Sequence, residues 1–337
     1  MKEENYDIDI VMPWVDGNDP EWQKDFNKYA PEESRITDIG EARYRDWDLL
    51  RYWFRGIEQF APWVRTIHFV TSGQKPAWLN TNAPKLHWVK HEDYIPEEFL
   101  PTFSARPIEL NFHRIEGLAE HFVYFNDDFF LINHTPRERF FRNGLPCDMA
   151  LCHQISPINN VLAHTVVNNM CCINETFDKH KVIRKNITKW FNPRYGIRQM
   201  MTICLLPWSM FSYMYDFHLP YAYRKSIFKE VWEKYGDRLT NESMTRFRHI
   251  SNCNQSLMRS WQLAKGEFTP CNITKDSKYW RISDQNICKI ADCISQQKIN
   301  VIVLNDSDKD IQDFERSKQI LIEAFEKILP EKSCFEL

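Results

Sequence analysis

Two short stretches hold residues whose types and placing could do chemistry. In "FVYFNDDFF" (122–130), Asn126, Asp127 and Asp128 interrupt a run of aromatic and aliphatic residues. "INVIVLNDS" (299–307) repeats the arrangement, an apolar β-branched run closed by Asn305 and Asp306. Carboxylate oxygens at strand ends suit Mg²⁺ or Mn²⁺, which keep several waters and bridge phosphate oxygens. Two such ends, if adjacent in space, could share one divalent cation. The structural alternative is an Asp turn whose side chains cap backbone N–H groups.

Basic residues and histidines supply the other candidates. His113 and Arg114 lie beside Glu109 and Glu116 in a helical pattern, either as a base and phosphate donor or as a surface ion cluster. His218 stands before a proline in "DFHLPYAYRK". As a general base it needs a pKa near neutrality and reach to a hydroxyl; a satisfied core histidine is the alternative. "TRFRHISN" adds Arg246, Arg248 and His249, and an arginine fork suits a diphosphate.

The elements that must position these residues read as strands alternating with helices. Ile8–Val15 reads as a buried strand, followed by Asp16 and Gly17 in a turn. Residues 66–71 and 86–91 are strand-like. Asp46–Ala61 has apolar residues at helical spacing, with Asp46 as N-cap and Pro62 past the end. The spacing of Ile108, Phe112, Ile115 and Leu118 predicts a second helix over 107–121. Such alternation predicts an α/β fold with a mostly parallel sheet flanked by helices. Ligands of such sheets sit at the carboxyl ends of the strands, which places Asp16 and the Asp127–Asp128 pair at one crevice.

Three segments are expected: an α/β core over 1–150, a largely helical lobe over 151–265, and a return to the core over 266–337 with a closing helix at 313–329.

Composition narrows the classes. The chain has 337 residues, 43% hydrophobic, with a net charge of −3, so no strong field argues for nucleic acid as partner. The amino terminus is acidic where a secretory signal would be basic, and no transmembrane helix is read. Ten cysteines without a CxxC spacing favour reduced thiols and a cytoplasmic protein. Residues 199–215 carry no charge and read as core or as an interfacial patch. In the second reading, the basic stretch Arg184–Arg198 would face lipid phosphates or an anionic acceptor.

The ordered set of motifs resembles the Stealth family of sugar-1-phosphate transferases. That family includes capsular polysaccharide phosphotransferases and the catalytic subunit of the lysosomal-enzyme N-acetylglucosamine-1-phosphotransferase. Its four regions have counterparts in "IDIVMPWVDGNDPEW" (8–22), in 43–131 with "HRIEGL" and "NDD", in "FHLPYAYRKSIF" through "RFRHISNCNQ" (217–255), and in 299–307. Pro13 stands before Trp14 where many members have Tyr-Thr.

The resemblance implies a Rossmann-like fold related to the GT-A glycosyltransferases and a nucleotide-sugar donor, usually a UDP-sugar. It implies Mg²⁺ or Mn²⁺ held by Asp128 and Asp306. The implied donor-binding set is Trp14, Asp16, Gly17, Arg45, Arg114, Asn126 and Asp127. The implied catalytic set is Asp128, Arg248 on the diphosphate, and His218 or His113 as the base, with His218 the stronger candidate. Expected partners are the donor, a saccharide or lipid-linked acceptor and, peripherally, the inner face of the cell membrane. The rival readings are a metal-dependent glycosyltransferase that releases UDP and a non-catalytic nucleotide-sugar or glycan-binding protein.

Overall fold

The structure is a computed structural model and describes residues 6–30, 46–156, 158–306 and 310–337. Its principal strands are β1 (Ile8–Pro13), β2 (Ile67–Thr71), β3 (Leu86–Lys90), β4 (His121–Tyr124), β5 (Phe129–Leu131), β6 (Tyr221–Arg224), β7 (Ser277–Arg281) and β8 (Val301–Asn305). Its principal helices are α1 (Pro20–Tyr29), α2 (Leu50–Phe60), α3 (Ala105–Leu110), α4 (Val161–Thr176), α5 (Lys225–Ser243), α6 (Ser256–Lys265), α7 (Ile287–Ser295) and α8 (Phe314–Ile328). Shorter elements are given below by residue range.

The main sheet has the order β6-β4-β1-β2-β3. β1 runs parallel to β2 and β4, β2 runs parallel to β3, and β6 is the antiparallel edge. The mixed α/β fold agrees with the sequence reading. β1 and β2 are almost wholly buried, as apolar runs in a parallel sheet must be when both faces are covered. The middle of the chain, read as a helical lobe, also supplies this sheet's edge strand.

A second sheet, β7-β8-β5, carries the return of the chain. β8 pairs antiparallel with β5, and the Leu304 N–H donates to the Asp128 carbonyl at 2.9 Å. The carboxyl end of β8 therefore meets the amino end of β5. Helix α2 packs on β5 through Gly56, where an added Cβ would stand 2.6 Å from the Leu131 carbonyl oxygen. One hydrophobic core runs from Ile8 to Phe335 and joins both sheets and the helices.

Two helical expectations differ from the structure. α2 begins at Leu50, and Asp46 does not cap it; its Oδ1 accepts the Asp48 N–H at 2.8 Å. The helix read over 107–121 ends at Leu110, followed by a single 3₁₀ turn over Phe112–Arg114. Gly117 then adopts φ 71°, which ends any helical continuation. Phe112, Ile115 and Leu118 are nevertheless buried, so the spacing reported burial correctly and helix length wrongly.

One buried ion pair fixes the middle of the chain. Arg259 donates from Nε and Nη2 to the two carboxylate oxygens of Asp148, both at 2.8 Å, and from Nη1 to the Tyr215 carbonyl at 2.9 Å. Removing one partner strands a buried charge, which costs about 3–5 kcal/mol, whereas replacing both with apolar residues is often tolerated. Asp148→Ala should lose about that much in urea unfolding, and the double variant Asp148→Leu with Arg259→Met much less. A single-variant loss under about 1 kcal/mol would show that the pair is dispensable.

Candidate active site

The carboxyl ends of β1 and β4 lie side by side, and each delivers expected residues. Beyond β1, the Trp14 N–H continues the ladder to the Val70 carbonyl at 2.8 Å, and its ring lies 5.6 Å from that of Phe69. Gln74 clamps the backbone of Asp16 from both sides, accepting from its N–H at 3.1 Å and donating to its carbonyl at 2.9 Å. The Asp16 Oδ1 accepts the Asn18 N–H at 2.9 Å, and the carbonyl of buried Gly17 accepts from Gln23 at 2.8 Å. This loop is held rigidly at the rim. Arg45 lies outside the described residues.

Beyond β4, the Phe125 N–H donates to the Val11 carbonyl at 3.0 Å, and the chain then turns through Asn126, Asp127 and Asp128 into β5. Desolvation within the crevice and the charges of Asp128 and Asp46 raise the Asp127 carboxyl, although its side chain is exposed at the rim. Across the turn, the Asp306 Oδ2 accepts the Trp47 indole N–H at 3.0 Å. The β5–β8 pairing thus brings the two Asn-Asp ends to one place, with the Asp46–Trp47–Asp48 segment against them. Asp46, though exposed, also has a raised pKa, from partial desolvation above all, with the Asp48 charge adding to it. Sequence reading took Asp46 as a helix cap and missed this placement; the signal was a second carboxylate, Asp48, two residues on.

His218 comes from the far side. It follows Asp216, whose Oδ1 accepts the His218 N–H at 2.7 Å and the Tyr221 hydroxyl at 3.0 Å, while its Oδ2 accepts the Ser256 hydroxyl at 2.9 Å. This bracing holds His218 at φ 52°, a left-handed conformation that residues with a Cβ seldom adopt. Its Nε2 stands 3.6 Å from the Asp128 Oδ2, and its side chain is 46% exposed, so one face of the ring is open to an incoming group. The edges of Phe129 and Tyr279 hold the ring in place. Burial lowers the His218 pKa, but Asp128, Asp216 and Glu109 together outweigh it, and the net shift is upward.

His113 and Arg114, the other expected pair, go elsewhere. His113 packs on Phe228 and Trp232 of α5, its Nδ1 is buried without a partner, and burial pushes its pKa down to about 3. The Arg114 guanidinium stacks over Trp232 at 4.9 Å and donates to Asn111 at 2.9 Å. These two residues belong to the packing of α5 on the sheet. No contact among the described residues joins them to Asp128, so the base and phosphate-donor roles expected of them find no support in their placement.

Glu109, for which a place in a surface ion cluster was one of two readings, is buried. Burial pushes its carboxyl up to about 7, although the Tyr124 hydroxyl and the nearby Arg106 and Arg248 favour its ionised form. The Tyr124 hydroxyl contacts both the Glu109 Oε1, at 2.7 Å, and the Asn126 Oδ1. One phenol proton cannot serve two acceptors. The conflict is removed when the Asn126 amide turns to donate its N–H to the phenol oxygen, with Tyr124 donating to Glu109, or when Glu109 carries a proton. The network thus links Arg248, Glu109 and Tyr124 to the first residue of the Asn-Asp-Asp turn.

Among the described residues no group of three or more His, Cys, Asp or Glu side chains has metal-ligating geometry. A site for Mg²⁺ does not need three: one or two carboxylates with water and substrate phosphates suffice. Asp128 and Asp306 are hard oxygen donors at one meeting point. Asp127 is already held toward its neutral form there by its neighbours, so the donor set fits a divalent cation.

Residues 6–33 match Stealth protein conserved region 1, and residues 43–147 match Stealth protein conserved region 2. The chain is 41% identical over 330 residues to a capsular polysaccharide phosphotransferase, WcwK, of Streptococcus pneumoniae, with 98% of each chain covered. It is 38% identical over 332 residues to the exopolysaccharide phosphotransferase cps2G of Lactiplantibacillus plantarum, covering 98% of this chain and 96% of that one. It is 36% identical over 343 residues to the receptor polysaccharide phosphotransferase WefC of Streptococcus oralis, covering 98% and 99%.

The raised pKa of Glu109 has a signed consequence for stability. Between its ordinary value and about 7, the folded chain keeps a proton that the unfolded chain releases, so stability falls with rising pH by roughly 1.4 kcal/mol per unit. Glu109→Gln lacks that titration. Its stability relative to the parent should rise from about pH 5 to about pH 7 and then level off. A difference in urea midpoint that stays constant with pH would mean that Glu109 does not titrate in this range.

Proposed function

The chain belongs to the Stealth family, and from that membership we propose that it is a phosphotransferase of capsular or exopolysaccharide synthesis. It transfers sugar-1-phosphate from a nucleotide sugar, a UDP-hexose or UDP-N-acetylhexosamine, to a saccharide hydroxyl. The observation that carries the site assignment is the approach of the His218 Nε2 to the Asp128 Oδ2, 3.6 Å, where the two Asn-Asp ends converge.

The roles are those the resemblance implies for these residues, and their positions support them. Trp14, Asp16 and Gly17 receive the nucleotide at the end of β1, and Asn126 and Asp127 the sugar-phosphate side at the end of β4. Asp128 and Asp306 would hold Mg²⁺ or Mn²⁺, which when bound neutralises charge on the diphosphate oxygens. The acceptor oxygen bonds to the sugar-bearing β-phosphorus, and the bond from that phosphorus to the bridging oxygen breaks, so the nucleoside monophosphate leaves. His218, whose Nε2 faces Asp128, takes the acceptor's proton on its other ring nitrogen, and Asp128 stabilises the imidazolium that forms. Arg248 offsets the charge on the transferring group. In-line transfer of this kind depends on positioning and charge neutralisation more than on covalent catalysis. The same reading puts the enzyme in the cytoplasm, peripheral to the inner face of the membrane, where a lipid-linked glycan would be presented.

Product analysis tests the reaction. Incubation with Mg²⁺, a panel of UDP-sugars and short glycan acceptors should give acceptor-dependent UMP, and chelation should abolish it. Acceptor-dependent UDP would instead mean cleavage at the anomeric carbon and an ordinary glycosyltransferase. His218→Ala should lower kcat by roughly 10²–10⁴-fold, the range of a lost general base. Retention of more than about a tenth of the parent rate would exclude that role.

A further inference from the structure

Residues 179–215 carry seven Lys and Arg and no Asp or Glu, in a protein whose net charge is −3. Lys181, Arg184, Lys185, Arg194 and Arg198 are exposed, and none forms an ion pair among the described residues. The same segment exposes large apolar side chains: Ile197 at 80%, Met200 at 52%, Ile203 at 46%, Trp208 at 58% and Met210 at 62%. These are not the tips of a loose loop. Lys179 is buried and donates to the carbonyls of Leu205 and Trp208, the latter at 2.8 Å. The Asn174 side chain accepts the Phe211 N–H and donates to the Phe211 carbonyl, at 2.9 and 2.8 Å.

Phe211 is buried and stacks on Trp190, so it belongs to the core and not to the patch. The short helix Gln199–Cys204 is tied down through buried Thr202, whose hydroxyl accepts the Cys152 N–H at 3.0 Å. The backbone is fixed from within, and Met200, Ile203, Trp208 and Met210 are held outward.

We propose that this face docks on a bilayer bearing anionic headgroups, with the apolar side chains entering the acyl boundary and the unpaired cations meeting lipid phosphates. Charge complementarity selects this occupant. A protein partner buries apolar surface equally well; Asp178 lies beside Lys181, but Arg184, Lys185, Arg194 and Arg198 form no ion pair among the described residues and call for a surface of many negative charges. The face is also continuous with the site. The chain runs from Met210 through the Tyr213–Met214 strand, paired with Cys152–His153, to Asp216 and His218. Docking would therefore present His218 to an acceptor carried on lipid, an extension that rests on the proposed reaction, whereas docking itself does not.

Flotation of the intact protein with vesicles tests it without any substrate. The protein should float with phosphatidylcholine vesicles containing roughly one third phosphatidylglycerol, and not with phosphatidylcholine alone. Salt at about 0.5 M should release it in part. Ile197→Ser, Met200→Ser and Trp208→Ser together should weaken vesicle binding at least about tenfold while leaving UMP release from a soluble acceptor unchanged. The charge variant Arg194→Gln with Arg198→Gln disturbs no apolar packing and should weaken binding in the same direction. Failure of the parent to float, or equal flotation of the charge variant, overturns the proposal. So does a dimer in sedimentation that the triple serine variant converts to monomer, since the patch would then serve a second copy. Absence of UMP with intact flotation would overturn the reaction and leave the docking standing.

Discussion

The pairing of β8 with β5 is the constraint on which the site depends. Side chains alternate along a strand, so a slip of one residue would turn Asp306 away from the crevice. The Leu304 N–H bonded to the Asp128 carbonyl sets that register at the residue that matters. Gly56 keeps it from another side, because α2 approaches the Leu131 carbonyl too closely to admit a Cβ. The chain end closes the same layer: Arg55 of α2 donates to both carboxylate oxygens of Glu336, at 2.7 and 2.9 Å, and to the Leu329 carbonyl at 2.8 Å. Two Asn-Asp ends from distant segments come together because backbone pairing and helix packing leave them no other place.

His218 depends on a second chain of support. A left-handed backbone at a residue with a Cβ costs on the order of 1 kcal/mol and persists only where its surroundings over-determine it. Asp216 supplies that by accepting the His218 N–H, and its other contacts, to Tyr221 and Ser256, tie it to β6 and α6. One residue earlier, the Tyr215 carbonyl is held by Arg259, which is itself held by buried Asp148. The imidazole therefore faces Asp128 through a line of buried polar contacts. Apolar packing of the ring against Phe129 and Tyr279 completes its orientation.

Strand ends were legible in the sequence and their surroundings were not. Apolar runs closed by Asp or Asn-Asp located β1, β4 and β8 and the residues that leave them, because a buried strand must be apolar along its length and can change character only at its ends. The meeting of the last two required a pairing that no local pattern encodes. Glu109 could not be told from its solvent-facing neighbour Glu116, since helical spacing assigns a face but not what covers it. The cover comes from β4 and from the Arg248 segment. The cover over His113 was hidden for the same reason: α5, which packs on it, lies far along the chain. Trp208 and Phe211, three residues apart, look alike in composition, yet one is outside and one is core. Hydrogen bonds from Asn174 and Lys179 decide between them.

Electrostatics then limits what this crevice can accept. Asp46, Asp127 and Asp128 gather at one rim, beside the strand end that carries Asp306, and the charges of Asp46 and Asp128 help to raise the Asp127 carboxyl. A nucleotide sugar brings further negative charge to the same rim. Without compensation the donor would be repelled, and protonating every carboxylate would deprive His218 of the partner that holds its proton. In the proposed reaction, a divalent cation held by Asp128 and Asp306 would meet both demands, because it would offset the charge of the diphosphate without protonation of Asp128. Arg248 contributes positive charge beside Glu109, whose readiness to carry a proton near neutrality keeps one more negative charge out of the crevice. In this account, the burial of Glu109 and the convergence of the two Asn-Asp ends serve the same electrostatic requirement.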